Sequence, residues 1–362
     1  MNKIFYKKPL FSNTTFPHIL KLPPQTLRKK NPHVETLRGL AITLVVIGHM
    51  IGYANTGGMR VGDDSFFRYF YYSIDYIQLP LFTVISGWAY ANKPVQHSNH
   101  SEFIKGKLRR LIIPMFVIST LLFLLRMIIP GTNTTPELND LPRNLFFPYD
   151  VYWYLFSLFI IFLIIPLLDT KPFFHKPEGW FLTLVFALIL LQVMDVFLDA
   201  VPNLFSFKGA IYLFPFFLLG IGIFRFKELL LNDKVTLATL LVLIVSVILQ
   251  HIIWFGHFPL QGRYSVLAMA VGISGVLFLF KLKPTSNLLI FIGGHAYTIF
   301  LFHVFFTGGS RIILLKTGVG NSFVIFVSGV LCAIVFPILL ETILQKSGFL
   351  RYYFLGLKKN EN

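Results

Sequence analysis

Residues 235–255 read VTLATLLVLIVSVILQHIIWF, an unbroken run without Asp, Glu, Lys or Arg. At ~1.5 Å of rise per residue, a helix of this length is about as long as the hydrocarbon core of a bilayer is thick. Similar runs recur at Ile211–Phe224 and Phe323–Leu344, separated by short polar stretches. A soluble core does not need such runs, whereas a membrane span does. Composition agrees: 55% of the residues are hydrophobic and 13% are charged, against ~25% charged in soluble domains. The 41 Phe and 15 Tyr suit a bundle whose rings meet acyl chains and headgroups.

Cutting the chain into apolar segments of about 17–25 residues places spans near 37–54, 70–90, 111–130, 151–168, 180–200, 209–225, 235–255, 264–281, 287–306 and 321–344. The expected fold is all-α, a polytopic membrane helix bundle of about ten transmembrane helices. Spans 70–90 and 287–306 are polar at several positions, so they are expected to face the bundle interior. Residues 1–33 read as a basic tail without a signal peptide, 34–346 as the membrane domain and 347–362 as a C-terminal tail.

The net charge of +16 is a topology signal. Lys and Arg sit between the apolar blocks and do not line one groove, which argues against nucleic acid as a partner. Twenty-three of them fall in the N-terminal tail, the even-numbered connections and the C-terminal tail, and seven fall in the other connections. Positively charged segments stay inside, so both termini are expected in the cytoplasm of a multi-pass inner-membrane protein. The single cysteine, Cys332, lies in an apolar run. It offers neither a disulfide framework nor a Cys-rich metal site, and no metal is expected.

The first span reads Glu35-Thr-Leu-Arg38-Gly-Leu-Ala-Ile-Thr-Leu-Val-Val-Ile-Gly-His49. Eleven helical steps bring Arg38 and His49 to one face, about 16 Å apart along the axis. A histidine inside a membrane helix is costly and by default a functional candidate, because imidazole exchanges a proton near neutral pH. The alternative is a histidine hydrogen-bonded to a neighbouring helix. Asp75, in the second span, lies at a depth where a carboxylate could orient His49; otherwise it is an interfacial residue.

Five stretches resemble the acyltransferase 3 family of integral-membrane acyltransferases, in particular its branch of fucose 4-O-acetylase-like and exopolysaccharide O-acetyltransferases. They are Arg38 and His49 at Arg-x10-His spacing; Leu79-Pro-Leu-Phe-Thr-Val-Ile-Ser86-Gly87; Lys107-Leu-Arg109-Arg110-Leu-Ile-Ile-Pro114; Tyr152-Trp153-Tyr154-Leu155; and Ala296-Tyr297-Thr298-Ile299-Phe300-Leu301-Phe302-His303. They follow the family's order over most of the chain. Two positions depart from its pattern: Gln78 stands where the sugar-acetylase branch often has histidine, and Lys107 where many members have arginine.

The resemblance implies transfer of an acetyl group from acetyl-CoA, an acyl-CoA co-substrate, to a hydroxyl of a polysaccharide or lipid-linked sugar at the cell envelope. Lys105, Lys107, Arg109 and Arg110 then suit the coenzyme's phosphates, although topology alone also explains such a cluster. Arg38 would begin the path inward, and His49 would be the general base. Trp153, Tyr297 and His303 are candidates for substrate binding. Arg126, Asp195, Asp199 and Arg263 could line the acceptor's route. Ser86-Gly87 reads as a close helix approach, and Asn133-Thr-Thr135 matches a glycosylation acceptor pattern.

A transporter or flippase of lipid-linked sugars is the rival, since buried Arg, His and Asp would suit a translocation path, and a signalling protein is a third class. A monomer and a homodimer both remain open.

Overall fold

The structure is a computed structural model and describes residues 31–95, 99–147, 149–197 and 200–358. Among them no strand forms, and the expected all-α bundle is what the chain builds. The helices are α1 Pro32–Ile51, α2 Phe66–Asn92, α3 His100–Lys107, α4 Ile113–Ile128, α5 Trp153–Asp169, α6 Pro177–Phe197 and α7 Phe207–Arg225. They continue with α8 Lys227–Leu230, α9 Asp233–Phe255, α10 Val266–Leu282, α11 Asn287–Gly294, α12 Ala296–Lys316, α13 Ser322–Leu344 and α14 Gly348–Leu355. A π-helical turn, Leu108–Ile112, joins α3 to α4.

Starts and stops follow local chemistry. Asn31 caps α1 through its side chain ahead of Pro32, and Ser65, Asn232, Ser265 and Asn321 cap α2, α9, α10 and α13 in the same way. Each supplies an oxygen to a backbone N–H that would otherwise lack a partner.

Eight helices among the described residues are long and apolar enough to cross a bilayer, or nine if the bent pair α10 and α11 counts as one span. Lipid is the solvent of their outer faces. α9 turns Leu237, Leu241, Ile244, Val245 and Ile248 outward, a pattern that water would penalise and acyl chains do not. The polar helix α2 behaves as its sequence suggests, burying Tyr72, Tyr76, Gln78 and Thr83 between α1, α7 and α10. α1 is the central helix, with Leu37, Ala41, Ile42, Val45 and Val46 fully inaccessible.

The span expected at 287–306 is displaced. α10 stops at Lys283, whose φ of 48° is left-handed, just before Pro284, and α11 turns back at 119° to it. α11 ends at Gly293-Gly294, and His295 occupies the break before α12. The His295 ring is hydrogen-bonded through Nδ1 to Glu341 Oε2 at 2.8 Å, which fixes the break against α13. The crossing helix is therefore 296–316, ten residues beyond the expected end. Residues 348–355, read from sequence as tail, form α14, which lies against α4.

Small residues allow close approach of two helices. A Cβ on Gly87 would stand 2.0 Å from the carbonyl oxygen of Phe217, and one on Gly220 would stand 2.1 Å from that of Val84, so α2 and α7 meet backbone to backbone. Gly87→Val is expected to cost about 1–3 kcal/mol through overpacking and to lower the melting temperature in detergent by a few degrees. Gly106→Ala, with open space around its Cβ, is the control. Equal melting of both variants would contradict this packing.

Candidate active site

A cavity of about 860 Å³ lies between α1, α2, α4, α5 and α12. It runs from the loops at the end of the bundle where α1 stops, the far end, inward to His49, Gln78, Tyr154 and Phe300. Gly308 and Gly309 of α12 line it, and an added Cβ at either would meet nothing within 4 Å. Glycine inside a helix costs about 1 kcal/mol relative to alanine, and here the omitted side chains leave room in the cavity.

His49, on the last turn of α1, has a histidine as partner. Its Nδ1 lies 3.0 Å from Nε2 of His303 on α12, and the two ring centroids are 4.9 Å apart. His303 is fully buried, and its Nδ1 faces the carbonyl oxygens of Phe300 at 2.8 Å and Ile299 at 3.1 Å. Carbonyl oxygens only accept, so Nδ1 of His303 carries a proton. A neutral His303 then accepts at Nε2, and the donor must be the Nδ1–H of His49. This leaves Nε2 of His49, with its lone pair, for whatever occupies the cavity. The second ring of the pair stands where a carboxylate stands in a hydrolase triad.

Asp75 lines the same cavity from α2 but is hydrogen-bonded elsewhere. Its Oδ1 accepts from Tyr71 at 3.0 Å and from Gln78 Nε2 at 2.8 Å. Arg263, from the loop between α9 and α10, faces this wall, with its guanidinium carbon 5.8 Å from the ring of Trp153. Burial is the largest single influence and opposes its charge, but Asp75 together with Tyr71, Tyr212 and Tyr264 raises its pKa above the usual guanidinium value. At the far end Arg126 forms an ion pair with Asp150, whose φ of 49° is left-handed, and Tyr152 ties α5 to α12 by donating to the Leu301 carbonyl at 2.9 Å.

The structure thus brings together His49, His303, Asp75 and Trp153, with Arg126 and Arg263 in the cavity wall as the sequence suggested. Other candidates lie apart from it. Arg38 donates to Glu35 at 2.7 Å and 2.9 Å. At the opposite, near end, the Lys107 ammonium sits 3.5 Å from the Phe162 ring centroid, Arg109 donates to the Gly356 carbonyl at 3.1 Å, and Lys105 is exposed. Tyr297 belongs to this near-end group: its hydroxyl donates to the Arg110 carbonyl, and the Arg110 guanidinium lies 4.6 Å from its ring. Asp195 is exposed on α6, and Asp199 lies outside the described residues.

Sequence reasoning missed Arg311, Lys316, Asp150 and Tyr71, and it read Asn133 only as part of a glycosylation pattern. All of these line the cavity. Arg311 and Lys316 were counted as loop charges because span 287–306 was expected to end before them. The signal available was the run Thr307-Gly-Gly-Ser-Arg311, a glycine pair one turn before a cation.

The family model of the acyltransferase domain matches residues 31–342, and the chain belongs to that acyltransferase family. Its long apolar helices make it a multi-pass membrane protein. Nodulation protein NolL of Mesorhizobium japonicum (strain LMG 29417 / CECT 9101 / MAFF 303099) is similar, with 28% identity over 200 residues covering 54% of this chain. That match spans 48% of NolL, about half the length of this curated relative. No solved structure matches.

The hydrogen-bond direction is open to test. In protein labelled with 15N-histidine, the neutral rings of His49 and His303 are both expected to show a protonated Nδ1 and a bare Nε2. A protonated Nε2 on neutral His303 would reverse the direction of the pair.

Proposed function

We propose that this acyltransferase moves an acetyl group from acetyl-CoA to a hydroxyl of a cell-envelope polysaccharide or lipid-linked sugar in the inner membrane, with His49 as general base. The observation that carries this reading is the His49–His303 pair at the inner end of a large cavity, in a chain of the acyltransferase family.

In this reading the acceptor sugar enters the cavity from the far end, and its hydroxyl meets Nε2 of His49. As the hydroxyl oxygen bonds to the thioester carbon, Nε2 takes its proton. The imidazolium that forms is held through Nδ1–H by the lone pair of His303. Collapse of the tetrahedral centre breaks the C–S bond, and the proton on His49 passes to the departing thiolate, so neutral imidazole returns with the acetyl ester and free CoA. Asp75 and Arg263 orient the acceptor from the α2 wall, and Trp153 offers its ring to the sugar.

The near-end cations Arg38, Lys105, Lys107, Arg109 and Arg110 are the groups suited to the coenzyme's phosphates. The excess of Lys and Arg on that end supports a cytoplasmic orientation for it, which puts it on the side where acetyl-CoA is made.

His49→Ala is expected to leave a folded protein without acyl transfer; wild-type turnover in that variant would end the general-base assignment. His303→Phe should lower kcat by about 10²–10⁴ while changing both KM values little, and an effect confined to KM would make His303 a packing residue. Lys105→Glu combined with Lys107→Glu should raise KM for acetyl-CoA more than KM for the acceptor. Equal increases would assign the cluster to topology alone.

A further inference from the structure

Arg311 is only 2% exposed and lines the cavity, yet its charge is unmatched. One terminal nitrogen donates to the Gly58 carbonyl at 2.5 Å and to Asn133 Oδ1, and the other donates to the Gly131 carbonyl at 2.7 Å. Nε has no partner. Among the described residues no carboxylate lies within ion-pair distance of it. Arg60 adds a like charge by donating to the same Asn133 oxygen at 3.0 Å.

The cavity as a whole is cationic. Arg126, Arg263, Arg311 and Lys316 line it, against Asp75 and Asp150 alone. Asp150 is paired with Arg126, and the charge of Asp75 acts on Arg263 from beyond ion-pair distance. The net surplus is two positive charges, and Arg311 and Lys316 carry it on α12, five residues and about 7.5 Å apart along its axis. Burying an unpaired guanidinium against neutral carbonyls is expensive unless an anion completes the site, and low-dielectric walls strengthen the attraction for one.

We propose that Arg311 and Lys316 form an anion site for the acceptor, so that the sugar accepted by this enzyme carries a phosphate or a carboxylate. This rests on the reading of the cavity as the acceptor site. The site also has a position. Arg311 lies eight residues beyond His303 on one helix, about 12 Å along its axis. The negative group is therefore on a neighbouring sugar or linkage and not beside the hydroxyl that reacts.

The test uses the purified full chain in detergent without any acyl donor, and binding is read by calorimetry. The probes are glucose, glucuronate, glucose 1-phosphate and CoA. Glucuronate or glucose 1-phosphate is expected to bind about tenfold more tightly than glucose, with a preference that salt weakens. Lys316→Gln and Arg311→Lys should reduce that preference, and Lys346→Gln at the near end should not. Because Arg311 also holds two loops, the exposed Lys316 decides if Arg311→Lys does not fold. Which charged sugar responds distinguishes carboxylate from phosphate. Charged sugars that bind no better than glucose, or do not bind, overturn the proposal. So does an unchanged preference in the variants, or CoA binding with the same sensitivity to them, which would give the site to the donor. A protein that holds the charged sugar but transfers no acetyl group would refute the proposed function and leave the anion site standing.

Discussion

The hydrogen bond between His49 and His303 is the constraint on which the interior is organised. Two imidazoles buried among apolar helices must satisfy each other or leave costly polar atoms without partners. The carbonyls of Ile299 and Phe300 assign the proton on His303, and that assignment propagates to His49. A backbone feature of α12 thus determines which nitrogen of α1 faces the cavity. The coupling requires α1 and α12 to keep their register, and the depth at which α1 is buried keeps it.

Around this pair, the cavity is maintained by arginines that bind backbone oxygens. Arg68 donates to the carbonyls of Gly52 and Val61 and closes the loop after α1. Arg60 and Arg311 reach from either side to the loop after α4, where they share Asn133. Loops over a cavity in a membrane protein need internal partners for their carbonyls, and a guanidinium with five donors meets several at once. The glycine contacts between α2 and α7 serve the same end from below, holding the α2 wall of Asp75 and Gln78 in place.

The two ends of the bundle differ in chemistry. Near-end cations are absorbed by aromatic faces, backbone carbonyls and water, as with Lys107 on Phe162 and Arg109 on Gly356. At the far end Arg311 is buried in the cavity wall, where water is scarce and a charge demands a counter-charge. A buried arginine in that wall is therefore a statement about ligands in a way that a surface lysine is not.

Sequence by itself determined the class of fold, since runs such as 235–255 are stable only in hydrocarbon, and it marked α2 as interior because its polar residues could not face lipid. It also singled out His49, an ionisable group in a span, and Arg38 on the same helical face. Only the tertiary structure decided the partner of His49. Asp75 stood at a plausible depth, but depth along the membrane normal does not specify which side chains meet, and it is α12 that presents a ring to His49. The break at His295 was hidden for a related reason. Gly293 and Gly294 permit a helix to stop, but the bond to Glu341 that makes it stop there comes from a residue 46 positions away. Arg311 followed from that break, because moving the last turns of α12 outward turned a presumed loop charge into a buried one.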